Sequence, residues 1–295
     1  MMIISTIQKI CLFLLSYLGL YGSHLLARII APMIFPQNSK KFKVTYKNLR
    51  VCFPDKNEKW LKQMSRSSLK EYAKSLLESP YIYRISRKRT NSLIKKIYSE
   101  DIIENALLQK KGIIFMTPHH GSWELSGLFA ASKIKTYVMY KPLRNKFLDS
   151  YVFNGRKAQG SVLVATDNSG VKALLKALKN NYAVGILPDH TPKINQGIMS
   201  NFYNNPVNTT SLIYKLAKKN RVPIIYIVAE RLNDSSGFNI HVGEVDKVFY
   251  DLDEIKAADL LNKTLEEMIN KNVSQYLWSY ERFRNRVGVE ESIYK

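Results

Sequence analysis

The first 54 residues contain no aspartate or glutamate; the first acid is Asp55. Cysteine is scarce. Cys11 and Cys52 stand 41 positions apart with no Cys/His zinc spacing near either, which excludes a disulfide scaffold and a zinc module. Thirteen glycines and ten prolines in 295 residues exclude a collagen-like or low-complexity chain. The sequence holds no internal repeat of the length that builds solenoids or propellers. Charged residues make up 23% against 45% hydrophobic, too apolar a mixture for disorder and enough for a substantial core.

What is abundant is positive charge. Forty-five Lys and Arg face 24 Asp and Glu, a formal charge of +21. Nucleic acid, anionic lipid or an acidic protein could each answer it. No RRM, KH or zinc-finger signature is present, so nucleic acid is not expected as a partner.

From Ile10 to Ala27, eighteen residues lack Lys, Arg, Asp and Glu, and all helical faces are apolar. That is the lower limit for a bilayer-spanning helix. The expectation is a membrane anchor over residues 1–30, with Pro32 ending or kinking it. A buried core helix is the competing reading. Only Lys9 precedes the run, whereas Arg28, Lys40, Lys41, Lys43, Lys47 and Arg50 follow it. Positive charge is retained in the cytoplasm, so residues 31–295 are expected there as one domain. A second basic block runs from Arg84 to Lys96.

Residues 57–78 have helical apolar spacing. From 112 onward, short apolar runs alternate with helical patterns. Strands are expected at 112–117, 135–140, 161–165, 182–187, 222–230 and 238–245, the last of them antiparallel or at an edge. Helices are expected at 122–132, 170–181 (capped by Asn168 or Ser169), 211–220 and 257–272. Such alternation predicts an α/β fold with one mixed, largely parallel sheet flanked by helices.

The most informative stretch is Phe115-Met-Thr-Pro-His119-His120-Gly-Ser-Trp-Glu124, where an apolar strand runs into Thr-Pro and then a helix. Ligands and catalytic groups gather at such carboxyl ends. His119 and Glu124 would lie about 140° apart on a continuous helix, but in a loop-to-helix turn they can meet. A carboxylate holding one ring nitrogen leaves the other free to take a proton from a hydroxyl. Three other readings stay open here. Ser122 could be a nucleophile, although no G-x-S-x-G elbow surrounds it. His119, His120, Glu124, Asp189 and His190 have metal-ligand chemistry but no H-E-x-x-H spacing. The two histidines could also be structural.

The stretch resembles the H-x4-[D/E] signature of the glycerolipid-type acyltransferases. In its His-His-Gly-Ser-Trp-Glu form it is most similar to the late lipid A acyltransferases of the Gram-negative inner membrane. Further blocks follow in order: Tyr140-Lys-Pro-Leu-Arg144-Asn145, Asn154-Gly155-Arg156, Leu187-Pro-Asp189-His190 with Gly197, Phe202 and Thr209-Thr210, and Gln275-Tyr-Leu-Trp278-Ser-Tyr-Glu-Arg282-Phe283. An N-terminal membrane helix is also part of that family's plan.

The resemblance implies an O-acyltransferase of glycerolipid-acyltransferase-like fold. It would move a fatty acyl group from acyl-acyl carrier protein to a hydroxyl of a lipid A precursor, at the cytoplasmic face of the inner membrane and against its anionic lipid. Neither metal nor cofactor is implied. His119 would be the base, Glu124 its orienting partner and Arg156 the stabiliser of the oxyanion or of a phosphate. Arg144, Asn145, Asp189, His190 and Arg282 would bind substrate, although Gln275, Trp278 and Arg282 can equally pack and ion-pair near the C-terminus; Trp123 is expected to pack and His120 to stand outside the catalytic pair. Use of acyl-CoA, or acylation of another glycolipid or a phospholipid, is the alternative.

Overall fold

The computed structural model describes residues 2–194, 196–288 and 292–294, without the side chains of residues 2–7 and 87. Met1 and Lys295, the outer limits of the expected anchor and domain, lie outside it.

The chain opens with four helices: α1 (Met2–Tyr17), α2 (Gly19–Ile34), α3 (Lys40–Cys52) and α4 (Glu58–Arg84). The apolar run is therefore divided. Gly19 adopts φ +65°, a left-handed turn that breaks the helix between Tyr17 and Gly19. Among the described residues, no helix is long and apolar enough to cross a membrane. This corrects the expectation of an N-terminal membrane helix over residues 1–30. The second half of the run is also committed elsewhere. Leu20, Ser23, His24, Ala27 and Ala31 recur at helical spacing and are buried as α2 packs along α4. Ala27, Ala31 and Ala73 let the two helices approach closely. Pro32 is carried inside α2, which continues to Ile34.

A buried ionic cluster fastens the pair. His24 Nε2 donates to Glu78 Oε2 at 2.7 Å, and Arg231 donates to both Glu78 oxygens at 2.7 and 2.8 Å and to Glu71 at 2.9 Å. Burial alone would raise the Glu78 carboxyl, but Arg231 and His24 hold it down at about 2.

The remaining elements are α5 (Arg87–Ser92), β1 (Ile94–Tyr98), α6 (Asp101–Leu108), β2 (Ile113–Met116), α7 (Trp123–Lys133), β3 (Thr136–Met139), α8 (Lys146–Ala158), β4 (Ser161–Val164), α9 (Asn168–Lys179), β5 (Ala183–Ile186), β6 (Ile198–Phe202), β7 (Asn205–Thr209), α10 (Leu212–Ala217), β8 (Ile224–Arg231), β9 (Phe238–Glu244) and α11 (Glu254–Lys271). Seven strands form one sheet in the order β1-β9-β8-β2-β5-β3-β4, and β6 and β7 form a separate antiparallel hairpin. β8, β2, β5, β3 and β4 run parallel, while β9 pairs antiparallel with β8 and carries β1 in its own direction. This is the mixed, mostly parallel α/β sheet expected. Asp167, rather than Asn168 or Ser169, caps α9.

The central strands are apolar on both faces because helices cover both. Ile114 and Met116 of β2 face α9, α10 and α11 through Leu174, Leu216, Leu265 and Met268. Ile113 and Phe115 face Ile82, Ile103, Leu125 and Phe129 of α4, α6 and α7.

Candidate active site

β2 and β5 are neighbours, with Met116 opposite Ile186. Each strand then runs on through a proline: Met116-Thr-Pro-His119 and Ile186-Leu-Pro-Asp189. His119 and Asp189 thus each stand three residues beyond a register pair, at the carboxyl end of the parallel strands.

Asp189 takes both donors that His119 offers. The His119 backbone N–H donates to Oδ2 at 2.9 Å, and ring Nδ1 donates to Oδ1 at 3.0 Å. Asp189 is buried, which alone would raise its pKa, but the charge and hydrogen bonds of His119 hold it far below the usual carboxylate range. With the proton on Nδ1, Nε2 carries the free lone pair. His190 and Trp123 stand edge-on to the His119 ring, with centroids at 4.9 and 5.4 Å.

Glu124, in the first turn of α7, is held by a different residue. Arg156 of α8 grips it bidentately, Nε to Oε2 at 2.9 Å and Nη2 to Oε1 at 2.5 Å. Burial would raise the Glu124 carboxyl, yet Arg156, a Tyr83 hydrogen bond and the nearby His119 bring it below its ordinary value. Arg156 is in turn pushed further up by Glu124, against the effect of burial. The helices can meet here because residue 155 is glycine; a Cβ on Gly155 would lie 2.5 Å from the Tyr83 ring.

The Glu124–Arg156 pair borders a narrow, largely apolar cleft of about 50 Å³ between α7 and the sheet. Phe115, Thr117, Trp123, Leu128, Val138 and Leu187 are among its walls. The arrangement therefore joins a histidine with a fixed tautomer, an anchored guanidinium and an apolar slot. Such a group can activate a hydroxyl beside an apolar surface.

A family model described as bacterial lipid A biosynthesis acyltransferase matches residues 2–285. The chain belongs to this family. It is similar to the lipid A biosynthesis palmitoleoyltransferase of Escherichia coli K12, 24% identical over 266 residues that cover 90% of this chain and 86% of that protein. It is also similar to a lipid A biosynthesis acyltransferase of Haemophilus influenzae, 26% identical over 247 residues covering 82% and 77%. The lipid A biosynthesis lauroyltransferase of E. coli K12 is 24% identical over 249 residues, covering 84% and 80%.

This member of the lipid A acyltransferase family is an O-acyltransferase. Its structure distributes the expected site residues unevenly. His119, Glu124, Arg156, Asp189 and His190 converge, but the carboxylate that accepts from the His119 ring is Asp189 and not the expected Glu124. Arg144 is exposed on the loop before α8, and Asn145 caps that helix through the N–H groups of Phe147 and Leu148. Arg282 is buried among protein groups, donating to Asn208 O at 2.8 Å, Thr209 Oγ1 at 2.9 Å and Asn262 Oδ1 at 3.3 Å. His120 points away from the cleft; its Nε2 donates to Asn272 O at 2.9 Å, and burial holds its pKa down at about 4. Gln275 pairs with the backbone of Arg231, and Gly121, at φ +60°, passes so close to Ala229 O that a Cβ would lie 2.1 Å from it. Among the described residues, no three His, Cys, Asp or Glu side chains converge as metal ligands would.

Sequence reading placed Asp189 in the site but missed its partnership with His119. A signal was present: strand, one residue, Pro, then His119-His120 in one case and Asp189-His190 in the other. Two neighbouring strands ending alike present their third residues side by side.

Proposed function

We propose that the protein transfers a fatty acyl group from the thioester of acyl-acyl carrier protein to a hydroxyl of a lipid A precursor. The observation that carries this is His119, held at Nδ1 by Asp189 beside an apolar cleft rimmed by Glu124–Arg156. His119 Nε2 takes the hydroxyl proton as the oxygen attacks the thioester carbonyl. The C–O bond forms and the C–S bond breaks. The imidazolium, stabilised by Asp189, returns the proton to the leaving thiolate. Arg156, fixed by Glu124, supplies positive charge toward the carbonyl oxygen as it becomes negative, a contribution of the kind worth about 10²–10³ in rate. The acyl tail occupies the cleft.

The acidic carrier protein suits a chain of charge +21. So does the cytoplasmic leaflet of the inner membrane. Phe13, Leu14, Tyr17, Tyr21, Leu25, Ile29 and Met33 are exposed along α1 and α2 in a stripe at helical spacing. Met33 is 75% and Phe13 61% accessible. Such helices lie in the interface rather than across it, and basic neighbours add attraction to anionic lipid. Gln8 of α1 reaches Asn145 at the start of α8 at 3.2 Å, and α8 carries Arg156. A leaflet-bound helix pair thus sets the site beside the lipid that holds the acceptor.

The test uses purified full-length protein with a lipid A precursor and equal concentrations of acyl-acyl carrier protein and acyl-CoA. The expected result is a product heavier by one acyl chain, formed mainly from the carrier-protein donor and lost in His119→Ala. Transfer chiefly from acyl-CoA would overturn the donor assignment, and absence of any ester product would overturn the reading.

A further inference from the structure

Gly127 lies inside α7, one turn past Glu124, and lines the cleft. Glycine is a poor residue for a helix interior. Gly121 and Gly155 are each required by a close approach, but Gly127 is not: its backbone has no positive φ, and a Cβ built on it would meet nothing within 4 Å. What its missing side chain does provide is open space in the cleft. Gly185 of β5 contributes to the opposite wall, where a Cβ would stand 3.1 Å from Val138 Cγ2. The slot thus passes between a bare stretch of helix and a bare stretch of strand. Its polar end is Glu124–Arg156. Deeper along α7 it is bounded by Leu128 and Ala130.

We propose that Gly127 is a specificity-determining residue that sets how long an acyl chain the cleft admits. This rests on the reading that the cleft holds the acyl tail. A chain entering past Glu124 along α7 passes residue 127 after one turn, about 4.5 Å further on. A side chain there projects into the lumen and closes the slot beyond that point. Donors long enough to reach past it lose the burial of their terminal methylenes, while shorter donors keep all their contacts.

The experiment offers the full-length protein an equimolar ladder of even-numbered saturated acyl-carrier-protein donors and weighs the products by mass spectrometry. Gly127→Ala, Gly127→Val and Gly127→Leu should shift the preferred donor to progressively shorter chains. Each methylene denied its place should lower kcat/KM about fourfold, the equivalent of one buried CH₂, so the loss grows with the length of the donor. Val138→Ala widens the opposite wall and should shift the preference the other way, which keeps the test open if a bulky variant folds poorly. Gly127→Ala should also raise the thermal midpoint, because it gains helix propensity without a clash. A Gly127→Leu product profile matching wild type, or an equal loss across all lengths in folded protein, overturns the assignment. Failure of the wild-type protein to acylate with any donor would instead defeat the reading on which it rests.

Discussion

Asp189 binds His119 through two hydrogen bonds, one to its ring and one to its backbone, so the same carboxylate fixes both the tautomer and the position of the loop. Asp189→Asn keeps the shape but reverses the donor: an amide N–H facing Nδ1 drives the ring proton onto Nε2, the nitrogen needed as base. The expected result is a fall in kcat of about 10²–10⁴ with little change in KM, as general-base losses go. Asp189→Asn combined with His119→Ala should be hardly worse than His119→Ala alone, because the two act as one unit. Steady-state kinetics on the four proteins checks this, and additive losses would separate Asp189 from the base.

Glu124 and Arg156 are opposite charges fixed in a mostly buried bidentate pair. Removing one leaves the other without a partner, which typically costs about 3–5 kcal/mol. Arg156→Met should therefore reduce both stability and kcat. Arg156→Met with Glu124→Leu should recover much of the stability and none of the activity. Chemical denaturation beside kinetics separates the two effects.

His120 should matter for pH stability rather than chemistry. Its folded pKa of about 4 lies below the ordinary 6.5, so the unfolded chain binds the proton more readily. The stability this contributes is full above pH 6.5 and is lost as pH falls toward 4. Between pH 7 and pH 5 the loss should be about 2 kcal/mol. His120→Gln should flatten that part of the denaturation profile and cost little in kcat at pH 7. An unchanged slope would mean that the ring is not buried neutral.

Vesicles containing anionic lipid should bind the full-length protein more tightly than zwitterionic vesicles, and added salt should weaken the difference, since screening sets in over about 8–10 Å at physiological strength. Phe13→Ser with Met33→Ser removes two exposed apolar anchors without touching the core. A loss of about tenfold or more in vesicle partition is expected. Co-sedimentation measures it, and partition equal to wild type would remove the stripe from the contact.

The sheet was legible where strands are buried on both faces and bounded by turn residues: β2, β5 and β8 lie within a residue or two of their expected places. β1 was missed because Ile94-Lys-Lys-Ile-Tyr98 has exposed lysines at its centre, and the β6–β7 hairpin because Asn201, Asn205 and Pro206 read as loop. The N-terminal expectation failed for a different reason. An apolar residue signals that a face avoids water but not what covers it, and in α2 part of that cover is α4. In the site, His119 and Glu124 could be picked out by type and order, and Arg156 through the family resemblance. Their pairing could not, because it depends on which strands are neighbours, and β2 meets β5 only after two intervening helix–strand units.

The His24–Glu78–Arg231 cluster bears on how the protein can be handled. A shortened chain beginning after α2, the usual remedy for a sticky N-terminus, would uncover Ala73 and Ile82 and remove one of the partners of Glu78. Such a chain would gain a raw apolar face where it was meant to lose one. Solubility is better sought by replacing the outward residues of α1 and α2 and leaving both helices in place.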